Sequence, residues 1–147
     1  SGISGGGAGR PDKKNSLSYL ATEARGLDAQ GRLTDTDLRS RIIRHEMRSV
    51  AFGQTAKRVM QEAKGGTASS VSSILKNVAT GLSQEKSEMR IEIQGMHGLG
   101  WEGEGFTEQE LDTLRLWAMS KAMTIAGGTS EVQLNVIAKN VLQLPTS

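Results

Sequence analysis

The chain has 147 residues, 36% hydrophobic, with 18 Gly, no Cys and a formal net charge of +2, which fits one domain with a modest core. The missing cysteines exclude disulfide scaffolds, thiolate zinc sites and thiol nucleophiles, and two His (His45 and His97) cannot make a His-only metal centre. No apolar run reaches the ~18 residues of a membrane helix, no signal-peptide layout is visible, and 3% aromatics leave few rings to stack nucleobases.

These features imply no membrane partner, no nucleic-acid partner and a reducing compartment, most simply the cytoplasm. Charge is uneven: residues 1–66 carry 12 Lys/Arg against 7 Asp/Glu, and residues 67–147 carry 6 against 9. The basic half centres on Arg39, Arg41, Arg44 and Arg48. At helical spacing the last three share one face, read here as a solvated face with local pairing such as Asp37 to Arg41 at i,i+4.

In chain order the pattern gives helices and no strands. Residues 1–15 are Gly- and Ser-rich, a flexible segment before a bundle domain over 16–147. Ser16 can cap a short helix through Leu17, Leu20, Ala21 and Ala24, ending at Gly26; Gly31 is expected to keep the next stretch loose. The first strong helix starts at Thr34, a hydroxyl N-cap followed by acids. Its 3.6-residue stripe runs through Leu38, Ile42, Ile43, Met47, Val50, Val59 and Met60 until Gly65-Gly66. A second helix from Ser69 or Ser70 carries Val71, Ile74, Leu75, Val78, Leu82, Met89 and Ile93. Gly81 within it could let a neighbour pack closely.

Glycines from 95 to 105 imply a long flexible connection holding His97, Trp101, Glu102, Glu104 and Phe106. Trp101 and Phe106 read as anchors that dock it. Thr107 and Glu110 form a capping box for a third helix whose Leu111, Leu114, Trp117, Ala118, Ala122 and Ile125 face inward. Ser130 and Gln133 form a second box. The fourth helix carries Val132, Val136, Ile137, Val141 and Leu142, and Pro145 closes it. The fold class is therefore all-α, a four-helix up-and-down bundle. Its stripes are wide enough to leave apolar faces for another chain or domain to cover.

The segment with chemical content is the joint Ala126-Gly127-Gly128-Thr129-Ser130-Glu131-Val132-Gln133. Two glycines before a helix start let a ligand approach first-turn amides that have no intrahelical acceptor, a plausible diphosphate cradle. Plain termination by Gly and capping by Ser explains the same residues. Elsewhere His45-Glu46 is not the start of a zinc-binding His-Glu-x-x-His, because position 49 is Ser. His97 reads as solvated or backbone-bonded. The Glu102–Glu110 group reads as a solvated acidic turn, so no metal site is expected.

Residues 121–145, from Lys121 through the run Gly-Gly-Thr-Ser-Glu-Val-Gln to Ile-Ala and Leu-Pro, closely resemble the C-terminal signature of acyl-CoA dehydrogenases. The helix pattern from about Leu33 is similar to that family's C-terminal helical domain. The resemblance implies an FAD cofactor contacted by Thr129, Ser130 and Glu131, and an acyl-CoA thioester lying against Gly128, with Gly127 before it. It implies a second FAD contact, reaching a neighbouring subunit, at the Gln-x-x-Gly-Gly position. Here that stretch is Glu92-Ile93-Gln94-Gly95-Met96, so only Gly95 matches and Glu92 replaces the Gln. Where many members carry a catalytic Glu this chain has Gly127, and the family Arg after Val-Gln is Leu134. No catalytic residue is therefore assigned, and the base is expected on a helix preceding Ser1. The intact protein is expected to oxidise an acyl-CoA to the 2,3-enoyl-CoA, to pass electrons to an electron-transferring flavoprotein and to form homo- or hetero-oligomers, with this fragment inactive alone. The alternative is a non-catalytic helical assembly subunit.

Overall fold

The computed structural model describes residues 15–62, 68–125, 129–140, 142 and 145. Five α-helices run in order: α1 Leu17–Arg25, α2 Thr36–Glu62, α3 Ala68–Gln94, α4 Glu108–Ile125 and α5 Ser130–Asn140, with a 3-10 helix at Gly95–Leu99 between α3 and α4. The fold is all-α as expected, but it holds a fifth helix. The short α1 is part of the packed core rather than a prelude to it.

Local chemistry fixes the helix ends. The Ser16 hydroxyl accepts the Tyr19 N–H at 3.2 Å and starts α1. The start of α2 is one residue later than expected: the Asp35 carboxylate accepts the Leu38 N–H at 3.0 Å, whereas Thr34 donates its hydroxyl proton back to the Arg25 carbonyl at 2.8 Å. An N-cap must place its oxygen over the second or third amide of the helix, and Thr34 is already committed to closing the preceding loop. That loop is not loose. Asp28 accepts the N–H groups of Gln30 at 2.9 Å and Arg32 at 2.8 Å, and Leu27 and Leu33 pair in an antiparallel bridge. These amide bonds hold the Asp28 carboxyl below its ordinary pKa.

The stretch from Gly95 to Thr107 is also ordered rather than a flexible connection. Gly95 has φ +58, a left-handed conformation that ends α3 without a Cβ clash. A Cβ on Gly100 would fall 2.5 Å from the Phe106 ring, so the chain folds tightly under that ring. Phe106 anchors the loop as expected; Trp101 is exposed and does not. The capping box at Thr107 forms: Glu110 accepts the Thr107 N–H at 2.7 Å and its hydroxyl at 2.9 Å.

The helices pack around α3, against which α1, α2, α4 and α5 all lie. Ion pairs and hydrogen bonds fix the directions: residue 41 meets 92 and 45 meets 85 between α2 and α3, and 94 meets 113 and 84 meets 120 between α3 and α4. Consecutive helices are thus antiparallel. The core is one-sided. Leu17, Ala21, Leu33, Leu38, Ile42, Met89 and Ile93 form one buried cluster, built from α1, the first turns of α2 and the last turns of α3. Each large member contributes about 1.5–3 kcal/mol by leaving water.

Away from that cluster the apolar stripes lie open. On α2, Ile43, Met47, Val50 and Met60 are exposed. On α4 the expected inward face is corrected: Ala122 is exposed and Ile125 is 72% exposed, while Thr113 and Ser120 are the buried residues. The α3–α4 seam is polar because Gln94 Nε2 donates to the Thr113 hydroxyl at 3.1 Å, and Gln84 Nε2 donates to the Ser120 carbonyl at 3.3 Å and to the Thr124 hydroxyl. Buried hydroxyls are tolerated there because they are bonded. Gly81 has nothing within 4 Å of a Cβ position, so it is not a close-packing point among the described residues.

Candidate functional site

The start of α5 is built by Thr129. Its hydroxyl accepts the Val132 N–H at 3.3 Å and its carbonyl accepts the Gln133 N–H at 2.9 Å. The cap is therefore Thr129, not Ser130, which is already the first helical residue. Thr129 is half-buried and Glu131 is exposed. Gly127 and Gly128 lie outside the described residues, as does the side chain of Ser130. Leu134, on the next turn of α5, is exposed. The amides of Ser130 and Glu131 fall in the first turn, where no intrahelical acceptor exists. The Thr129 oxygen receives Val132 and keeps its own proton for an acceptor beyond the helix.

The last turn of α3 holds Glu92 and Gly95. Glu92 does not stand alone: Arg41 Nη1 donates to its Oε1 at 2.9 Å and Nη2 to its Oε2 at 2.7 Å. This fork uses both oxygens, the strong geometry for a guanidinium–carboxylate pair, and it lifts the Arg41 pKa above its ordinary value. Arg25 Nη2 adds a bond to the Glu92 carbonyl at 3.3 Å. Asp37 also reaches Arg41 at 3.5 Å, the i,i+4 pairing expected from the sequence. Gly95 is exposed, with open space where a Cβ would stand.

The two groups are not brought together. The His97 ring, just after Gly95, meets Glu110 near the start of α4 at 3.4 Å, whereas Thr129 follows the other end of that helix. The 18 residues of α4 separate them by roughly 27 Å along its axis at 1.5 Å per residue. One copy of the chain therefore presents two distinct contact points rather than one enclosed site.

Three features escaped the sequence reading. His45 is 5% exposed. Its Nδ1 donates to Glu85 at 3.2 Å, and the Ser49 hydroxyl lies 3.4 Å from Nε2. Arg48 reaches the same Glu85 oxygen at 3.0 Å. The basic face of α2 is thus not wholly solvated, since Arg41 and Arg48 clamp α2 to α3. His97 likewise has a carboxylate partner, and the Phe106 ring meets it edge-on at 5.9 Å between centroids. Arg90, on the opposite side of α3, is half-buried, and burial pushes its pKa down. An i,i+4 pattern within one helix can reveal local pairs, but pairs 37 to 51 residues apart carry no sequence signal.

Among the described residues no group of three or more His, Asp or Glu could hold a metal, and no helix is long and apolar enough to cross a membrane. A dinucleotide fits the two contact points differently. The α5 start offers amides and a hydroxyl proton, which suit a diphosphate. The Glu92 carboxylate would repel a phosphate, but with its charge matched by Arg41 it suits ribose hydroxyls.

Comparison with known proteins bears on the same segments. The profile of the family described as acyl-CoA dehydrogenase, C-terminal domain, matches residues 16–142. The acyl-CoA dehydrogenase IpdE1 of Mycolicibacterium smegmatis is 44% identical over 62 residues, which are 42% of this chain and 15% of that protein. A crystal structure of the ChsE4–ChsE5 complex from Mycobacterium tuberculosis has a chain of similar fold. The TM-score is 0.62 at 22% identity, covering 90% of this chain and 35% of that one. The chain thus spans a minor part of the length of both.

Proposed function

Since the chain belongs to the acyl-CoA dehydrogenase family through its C-terminal helical domain, we propose that it supplies one wall of an FAD site and part of the subunit interface in an FAD-dependent enzyme that converts acyl-CoA to 2,3-enoyl-CoA. The observation that carries this reading is the α5 start. Thr129 caps the helix through its carbonyl and hydroxyl oxygens, which leaves first-turn amides and one hydroxyl proton for the diphosphate. FAD bound there would supply the acceptor for the hydride leaving the acyl β-carbon.

This chain's own residues bind and orient; none takes the α-proton. A general base must come within ~2.6–3.2 Å of the proton it removes, and where many relatives place a Glu this chain has Gly127, whose side chain is a hydrogen. The base is assigned to another part of the intact protein or to a partner. Gly128 stands beside the thioester, and Glu92 with Gly95 meets the FAD of a neighbouring subunit. Electrons leave to an electron-transferring flavoprotein.

The test uses the intact polypeptide that contains this domain. It should purify yellow and reduce a dye when given acyl-CoA. Thr129→Val should lower the flavin retained, while the 147-residue piece alone should turn over nothing. A colourless intact protein, whose helical content and oligomeric state are normal, would overturn the flavin reading.

A second reading is favoured by one specific observation. Glu92, standing where the family has Gln, is locked on Arg41 by two bonds. Together with Gly127 and Leu134 this suits a helical subunit kept for assembly, whose catalytic partner holds the base. Flavin bound without turnover until a second subunit is added would favour it.

A further inference from the structure

One side of the α3–α4 pair is an open groove, lined by Lys86, Ser87 and Arg90 from α3 and by Leu116, Met119 and Met123 from α4. The three α4 residues are exposed and recur at helical spacing along one stripe. Opposite them stand two cations. Arg90 Nη2 donates to the Asn15 carboxamide at 3.0 Å, but its Nε is buried without a partner. Among the described residues, neither Arg90 nor Lys86 makes an ion pair. A half-buried guanidinium facing no acid is an unbalanced charge, and a partly desolvated cation gains most from a carboxylate.

We propose that this groove docks an amphipathic helix of a second, different polypeptide, whose apolar stripe covers Leu116, Met119 and Met123 and whose carboxylate pairs with Arg90. The shape favours a helix over a small molecule. The open space is about 230 Å³, below the ~300–1,000 Å³ of pockets that enclose small ligands. Two antiparallel helices with an apolar rim are the usual seat for a third. Charge favours a different polypeptide over a second copy. The unpartnered apolar face on α2, Ile43, Met47 and Val50, is bordered by Arg39 and Arg44, which would bring cations against Arg90 and Lys86. The inference is independent of the flavin reading, since no flavin enters its test.

The experiment titrates the full 147-residue chain with two synthetic amphipathic helices. Both carry leucines at i, i+3, i+4 and i+7; one has Glu and the other Gln at the centre of the stripe. The Glu peptide should bind about tenfold more tightly, or ~1.4 kcal/mol, and Arg90→Gln should erase that preference. Met119→Glu, at an exposed position that leaves folding intact, should abolish binding of both. Circular dichroism of each variant checks that helix content is unchanged. Equal binding of the two peptides, or binding that survives Met119→Glu, would overturn the proposal. A concentration-dependent dimer that Met119→Glu dissolves would also overturn it and assign the groove to a second copy.

Discussion

The one-sided core makes a sharp prediction about two methionines. Met89 is 1% exposed and lies in the buried cluster with Leu38, Ile42 and Ile93. Met123 is 58% exposed on α4. Truncating a buried Met to Ala removes its transfer free energy and leaves a cavity, a cost of ~2–5 kcal/mol, whereas an exposed truncation costs within about 0.5 kcal/mol. Met89 is enclosed from three sides by α1, α2 and α3, so the site cannot collapse easily, and about 3 kcal/mol is expected for Met89→Ala. With a urea m-value of ~2 kcal/mol/M, this moves the midpoint down by about 1.5 M. Met123→Ala should leave the midpoint within about 0.3 M. Urea denaturation followed by circular dichroism at one protein concentration reads both. Equal shifts would refute the argument, because they would mean that the open stripe of α4 is as buried in solution as the cluster beneath α1.

Further outcomes follow from single contacts. Thr129→Ala should destabilise α5 by about 1 kcal/mol, a typical cost of losing a hydroxyl N-cap, read as increased fraying of that helix by NMR. Glu92→Gln breaks the fork with Arg41. Both side chains are partly exposed, so stability should fall by less than about 1 kcal/mol, while flavin retained by the assembled protein rises in fluorescence titration. Glu110 has its pKa held below 4.5 by the Thr107 amide and hydroxyl and by His97. A depressed carboxyl pKa means the cap stabilises fully above the unfolded value and is lost as pH falls through the folded one. Acid titration of the wild type should therefore show a stability loss below about pH 4.3 that Glu110→Gln lacks. Gly100→Ala should disrupt the loop, because the added methyl meets the Phe106 ring at 2.5 Å. About 1–3 kcal/mol is expected for such overpacking, measured as a lowered Tm.

Much of the fold was readable because helices announce themselves through periodicity. Leu38 with Ile42, Leu82 with Met89 and Ile93, and the Thr107–Glu110 box all sit where the pattern put them. Caps were less secure: Thr34 and Ser130 are sound cap residues by type, but each lost the position to a neighbour better placed over the first amides. Inward faces were the weakest. Thr113 and Ser120 are buried on α4, where an apolar stripe suggests Ala122 and Ile125, because α3 offers glutamines there and polar bonding decides the seam. The site was legible only through its resemblance to a family. The Arg41–Glu92 fork and the His45–Glu85 contact link helices across 51 and 40 residues, and no local pattern encodes them.

The gathering of buried side chains beneath α1 also divides the molecule in time. Backbone amides at the C-terminal end of α3 and the first turns of α2 should exchange with deuterium only when the whole domain opens. Those near Met60, 70% exposed, should exchange through local fluctuations that leave the rest intact. The protected half would then act as the anchorage, and the labile half as the portion whose order is completed by whatever comes to rest on it.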